Sequence, residues 1–170
     1  MAERPAAVLV DVDGVLNPAR RVHRGYRRHR ATPNGITYTL WLNTAHGPLL
    51  RRLAADTGAE LVWASYWCDE ANDWIGPRVG LPRLPYVPIA GRPHDSELSL
   101  GAWKARHVAA WAGQRPFVWF EDEPDVTDCL TAEQRIGAHL LIPVDPRVGL
   151  TEEHLDEARA WLAARGLPGG

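Results

Sequence analysis

The sequence predicts an α/β fold, a parallel sheet of about five strands with helices on both of its faces. Two observations carry this expectation. Short apolar runs at residues 6–10, 60–64, 117–120 and 140–144 alternate with longer segments of helical period, the rhythm of strand–helix–strand units. Three of those runs end in polar residues: Asp11 and Asp13, then Ser65, then Glu121 and Asp122. In a parallel sheet those ends share one edge, where ligands bind. At 170 residues, 45% apolar and 24% charged, the chain has the size and balance of one globular domain, expected to span residues 1–170.

Each element has its own signal. Residues 6–10 are small and β-branched, and Asp11, Asp13 and Gly14 cut the run off, as at the end of a buried strand. Asn17-Pro18 breaks regular structure. Residues 17–43 read as an irregular insert holding a hairpin or flap over the end of the first strand. They carry six Arg and two His between 20 and 30, a Pro33-Asn34-Gly35 turn, and a β-prone stretch at 36–42. Residues 46–56 form a helix with Leu49, Leu50 and Leu53 as its stripe and Gly58 as its stop. A second buried strand at 60–64 leads through Ser65 to a short helix at 69–75. Pro77, Pro82, Pro85 and Pro88 make residues 76–96 loop-rich, with one short strand at 86–89. A helix at 98–112, a strand at 117–120, a helix at 129–136 and a strand at 140–144 follow. Thr151 caps the last helix, Glu152 and Glu153 favour its positive end, and Gly166 terminates it.

The net charge of −2 gives no global pull toward nucleic acid or membrane. Cys68 and Cys129 form no disulfide framework and no metal-knuckle spacing, which suits free thiols in a reducing compartment. The N-terminal run is broken by Asp11, unlike a signal peptide, and no stretch has the ~18 apolar residues of a membrane span. A cytoplasmic protein is expected. Eighteen of the 19 basic residues are Arg; the one lysine is Lys104.

Burying Asp11 and Asp13 at a strand end is costly unless a cation shares the site. Carboxylates, a serine, a lysine and room for a hard cation together suit phosphate chemistry. One carboxylate can attack phosphorus and another can move the proton. Mg²⁺ needs only one or two carboxylates besides substrate oxygens, while a hydroxyl and an ammonium hold the phosphoryl oxygens. Plainer readings exist for each residue: an Asx turn for Asp11 and Asp13, a helix cap for Ser65, a solvated side chain for Lys104. A calcium loop is disfavoured because Leu16 stands where glycine is required.

Four motifs in order resemble the haloacid dehalogenase-like (HAD) superfamily of aspartate-nucleophile phosphatases: Asp11-Val12-Asp13-Gly14-Val15, Ser65 after a core strand, Lys104 on a helix, and the acidic pair Glu121-Asp122. The resemblance covers about residues 6–145. The stretches Asp-Val-Asp-Gly-Val-Leu-Asn-Pro and Val-Trp-Ala-Ser-Tyr-Trp look closer still to the HAD domains of RNA-repair proteins. It implies a Rossmann-like sheet with a small cap or none, and a Mg²⁺-dependent phosphomonoesterase passing through an aspartyl-phosphate. It also implies Asp11 as nucleophile, Asp13 as acid/base, and Ser65 and Lys104 as phosphate ligands. Mg²⁺ would be held by Asp11, the Asp13 backbone carbonyl and Asp122. The pair is Glu-Asp rather than the commoner Asp-Asp, so Glu121 also stands as a metal ligand and Asp125 as an outside candidate.

The Arg-rich segment 20–30 has two readings, a solvated face or a grip on the phosphates of a nucleotide or nucleic acid. Trp41, Trp67 and Trp74 are candidates for stacking on a base. An alternative function is a nucleic-acid-binding or interaction module on the same scaffold with little turnover. No membrane partner is expected.

Overall fold

A computed structural model of the protein describes residues 4–132 and 136–165. In chain order, β1 (Ala7–Val10) leads to an antiparallel hairpin of β2 (Tyr26–Ala31) and β3 (Tyr38–Asn43), then to α1 (His46–Thr57) and β4 (Glu60–Trp63). Two short helices, α2 (Glu70–Trp74) and α3 (Gly76–Val79), precede α4 (Leu100–Ala112), β5 (Phe117–Glu121), α5 (Val126–Ala132), β6 (His139–Pro143) and α6 (Glu152–Arg165). The main sheet has the order β4-β1-β5-β6, and every pairing in it is parallel.

β1 is central and buried on both faces, which is why it reads as an unbroken apolar run. Its side chains divide by alternation. Val8 and Val10 join Leu50, Leu53, Leu155 and Leu162 of α1 and α6 on one face, with Leu40 and Leu42 of the hairpin. Ala7 and Leu9 join Ala105, Val108, Val126 and Leu130 of α4 and α5 on the other. The α/β expectation, with helices on both faces of a parallel sheet, stands.

Some boundaries differ from expectation for local reasons. The strand expected at 86–89 is a single bridge, with Trp63 N–H donating to the Pro85 carbonyl at 2.9 Å and Val87 N–H to the Trp63 carbonyl at 2.8 Å. Pro85 lacks the N–H that the next rung toward Leu61 would need, so the bridge does not lengthen in that direction, and among the described residues the sheet has four strands. The second half of the Arg run is a strand, β2. Its apolar alternation is hidden because the hydrophobic surface of the hairpin comes mainly from β3. α4 begins at Leu100 because the Ser99 hydroxyl accepts the Ala102 N–H at 3.0 Å. α5 begins at Val126, three residues before the expected helix, because Val126 and Leu130 bury one face; residues 133–135 of the expected span lie outside the described residues. Thr151 precedes α6, and His154 Nδ1 accepts its N–H at 3.0 Å, as a glutamate does in a capping box. The expected stop at Gly166 lies outside the described residues. Among the described residues, no helix is long and apolar enough to cross a membrane.

Candidate active site

The sheet register assembles the site. Val10 pairs with Trp63 on one side and Phe120 on the other, so the next residues along the chain bring Asp11 beside Ala64-Ser65 and Glu121-Asp122. Asp11 is 2% exposed; its Oδ1 accepts the Val12 N–H at 2.8 Å. The chain then turns sharply, with the N–H groups of Val15, Leu16 and Asn17 converging on the Val12 carbonyl. Gly14 sits in this turn at φ +82°, and a Cβ there would collide with the Asp122 carboxylate. The glycine both permits the turn and makes room for the acid.

Lys104, 3% exposed on α4, reaches across with Nζ 2.8 Å from Glu121 Oε2 and 3.2 Å from Asp11 Oδ2. The Tyr66 ring lies below the ammonium at 5.4 Å. Both Glu121 oxygens are engaged, since Oε1 accepts the N–H groups of Asp122 and Glu123 at 3.0 and 3.1 Å. Burial is the largest influence on both carboxyls. It holds Asp11 above the usual range against the pull of Lys104. It holds Glu121 well above that range, with the Asp11 charge adding to the rise. Burial alone would push the Lys104 ammonium down, but Asp11 and Glu121 together outweigh it and hold it up.

Asp13 is exposed, and both its oxygens accept N–H groups: Oδ1 from Asn17 Nδ2 and Oδ2 from Trp67 Nε1, each at 2.9 Å. Ser65 is buried and its Oγ accepts the Trp67 N–H at 3.2 Å. The structure therefore gathers Asp11, Asp13, Ser65, Lys104, Glu121 and Asp122 at one sheet edge. Asp125 is not drawn in: its carboxylate accepts the Ser99 hydroxyl and occupies the space that a Cβ on Gly101 would need, at the start of α4.

Residues 7–155 match the family described as the HAD domain in Swiss Army Knife RNA repair proteins. The chain belongs to this family. Membership gives the assembled edge the setting of a HAD-type phosphatase scaffold. No curated protein matches the chain.

In this HAD domain, ligand atoms of Asp11, Glu121 and Asp122 lie within 4.8 Å of one another. Three carboxyl groups share this corner with one ammonium, which pairs with two of them, and the surplus of acid is what a hard divalent cation neutralises; the donor set, all oxygen, fits Mg²⁺.

Two clefts flank Asp13. One, of about 470 Å³, runs past Asp13, Gly14, Asn17 and Asp122 to Thr39 and Trp41 of the hairpin. The other, of about 220 Å³, lies on the Trp67 side. Trp74 is at neither; its Nε1 donates to Glu70 and its ring faces Arg78. Cys68 donates its thiol to the Ile89 carbonyl.

Sequence reasoning missed the job of two residues. Asn17 was legible as a breaker, yet its amide donates to Asp13 and its oxygen accepts the Trp41 N–H of β3 at 2.8 Å. Trp67 was legible as an aromatic, yet it meets Asp13 across 54 positions and meets Tyr38 of β3 edge-on at 5.4 Å. The four-residue spacing of Asp13 and Asn17 was a usable signal; nothing local announces Trp67.

Proposed function

We propose that the protein is a Mg²⁺-dependent phosphomonoesterase that forms an aspartyl-phosphate on Asp11 and acts on a phosphorylated nucleotide or nucleic-acid end. The observation that carries this reading is the buried Asp11 carboxylate held between Lys104 and the Asp122 corner, with Asp13 two residues on and facing solvent. A carboxylate oxygen of Asp11 attacks phosphorus as the bond to the leaving oxygen breaks, and Asp13 delivers the proton that oxygen needs. Asp13 then takes a proton from water, the water oxygen attacks phosphorus, and the bond to Asp11 breaks to free inorganic phosphate. Ser65 and Lys104 hold the phosphoryl oxygens, and Lys104 offsets their charge. Asp11 and Asp122, with the Asp13 backbone carbonyl, would hold Mg²⁺, while Glu121 anchors Lys104 and the backbone of the acidic pair. Bound Mg²⁺ supplies electrostatic shielding, without which these acids would repel a phosphate.

The occurrence of this family in RNA repair proteins supports a nucleic-acid end, and so does the hairpin. Arg28 pairs with Trp41 and Arg30 with Thr39, so both exposed arginines share a strand face with the two hairpin residues that line the larger cleft. A strand leaving the site along that face would meet two guanidinium groups suited to phosphodiesters. One HAD-like domain over residues 1–170, with the 17–43 insert as a flap, completes the reading. A cytoplasmic setting accords with the absence of a disulfide at Cys68 and Cys129.

The test uses an aryl phosphate and oligonucleotides with 3′- or 5′-terminal phosphates, with Mg²⁺ or EDTA. Asp13→Asn should slow turnover by about 10²–10⁴-fold, and Asp11→Asn should abolish it. Equal turnover by wild type and Asp11→Asn overturns the mechanism. Salt-dependent oligonucleotide binding that survives Asp11→Asn, with no ester hydrolysed, favours the second reading, a binding module; Arg28 and Arg30 are the observation behind it.

A further inference from the structure

The smaller cleft is walled by Asp13, Ile36, Tyr38, Tyr66, Trp67 and Glu70. Three of these walls are apolar side chains left in water: Ile36 is 59% exposed, Tyr38 43% and Tyr66 38%. Large apolar side chains that converge exposed on one cavity mark a surface awaiting a ligand. The cavity of about 220 Å³ is below the ~300 Å³ at which pockets enclose a whole drug-sized molecule, so it suits one ring system rather than an entire nucleotide.

Its walls are set in advance. Trp67 is fixed by its bond to Asp13 and by its T-shaped contact with Tyr38, so a ring that stacks there meets a surface already ordered. Glu70 gives one oxygen, Oε2, to Trp74 Nε1 at 2.9 Å, and a carboxylate has capacity for further donors. Asp13 belongs to the same wall, so a leaving group protonated by Asp13 departs beside this cavity.

We propose that this slot receives the nucleobase of the leaving nucleoside, stacked against Trp67 and Tyr38 with its amino edge toward Glu70. The proposal rests on the phosphomonoesterase reading for the identity of the leaving group, though not for the existence of the slot. A nucleobase is chosen over a phenyl ring because a phenyl ring offers Glu70 no donor and would cover a carboxylate oxygen without pairing it.

The test combines isoleucine-methyl NMR with kinetics. Adenosine monophosphate, an oligonucleotide bearing a terminal phosphate, ribose 5-phosphate and a phosphotyrosine peptide are titrated in turn. The Ile36 methyl resonances should move upfield with the mononucleotide and the oligonucleotide, and stay in place with ribose 5-phosphate. The ratio of kcat/KM for adenosine monophosphate over ribose 5-phosphate should fall about tenfold in Tyr38→Ala, through KM, and fall also in Ile36→Ser. Both side chains are exposed, so both variants should fold. An Ile36 signal indifferent to the nucleotide, an unchanged ratio in both variants, or a larger response to the phosphotyrosine peptide overturns the proposal. If no ester is hydrolysed and Ile36 still responds to the nucleotide, the slot stands and the phosphatase reading falls.

Discussion

Lys104→Met tests the electrostatic core of the site without reference to any substrate. The ammonium is 3% exposed and ion-paired to Glu121 at 2.8 Å and Asp11 at 3.2 Å. Methionine fills most of the same volume but leaves two buried carboxyls facing each other. Removing one partner of a buried ion pair costs about 3–5 kcal/mol. That is a large share of the ~5–15 kcal/mol that holds a domain folded, so the loss is well within reach of an unfolding measurement. Glu121 is already held well above its ordinary 4.5 by burial and the Asp11 charge, and losing Lys104 raises it further. A carboxyl raised in the folded state binds more protons there than in the unfolded chain. The variant's deficit should therefore be small near pH 4.5 and widen as pH rises toward neutrality. Urea unfolding at several pH values in EDTA measures it. Adding Glu121→Gln to Lys104→Met should recover part of the loss, and saturating Mg²⁺ should stabilise Lys104→Met more than wild type. A loss under about 1 kcal/mol, the scale of a surface pair, with no pH dependence, would refute the account of Lys104 as the counter-ion of Asp11 and Glu121.

Two other outcomes are expected. Gly14→Ala places a methyl group against the Asp122 carboxylate at a residue with φ +82°. It should cost about 1–2 kcal/mol of stability and raise the Mg²⁺ concentration for half-maximal activity, read by denaturant unfolding and a Mg²⁺ titration. His46 lies buried against Tyr26 with Nε2 3.2 Å from the Leu150 carbonyl, and burial pushes its imidazole down from 6.5 to about 4. The unfolded chain takes up that proton first, so stability should fall as pH drops from 6.5 toward 4, by about 3 kcal/mol at most. His46→Phe should flatten the curve in that window; an unchanged slope would place the effect elsewhere.

The parts of the site that sequence revealed are those fixed by local rules. The apolar run of β1 and the polar residues after it are read from period and composition, and a parallel sheet needs nothing more to align Asp11, Ser65 and Glu121. Lys104 stood out because arginine serves everywhere else, and a compact ammonium between two carboxylates explains that choice. What stayed hidden depends on tertiary partners. β2 shows little apolar alternation of its own, because β3 brings Leu40 and Leu42 to the core. The strand at 86–89 stayed a single bridge, closed on one side by the N–H that Pro85 lacks. Asp125 was an outside candidate beside Asp122 in sequence, and its engagement with Ser99 at the start of α4 separates the two.

The attachment of Asp13 also changes what the hairpin is. Asn17 joins Asp13 to the β3 backbone through opposite ends of one amide, and Trp67 joins it to Tyr38 through its indole N–H and its ring. The carboxylate hangs from two struts whose far ends rest on the hairpin. Replacing the hairpin, even far from phosphorus, thus re-aims the acid, so an exchange of hairpins between relatives would transplant an orientation of Asp13 together with a binding surface.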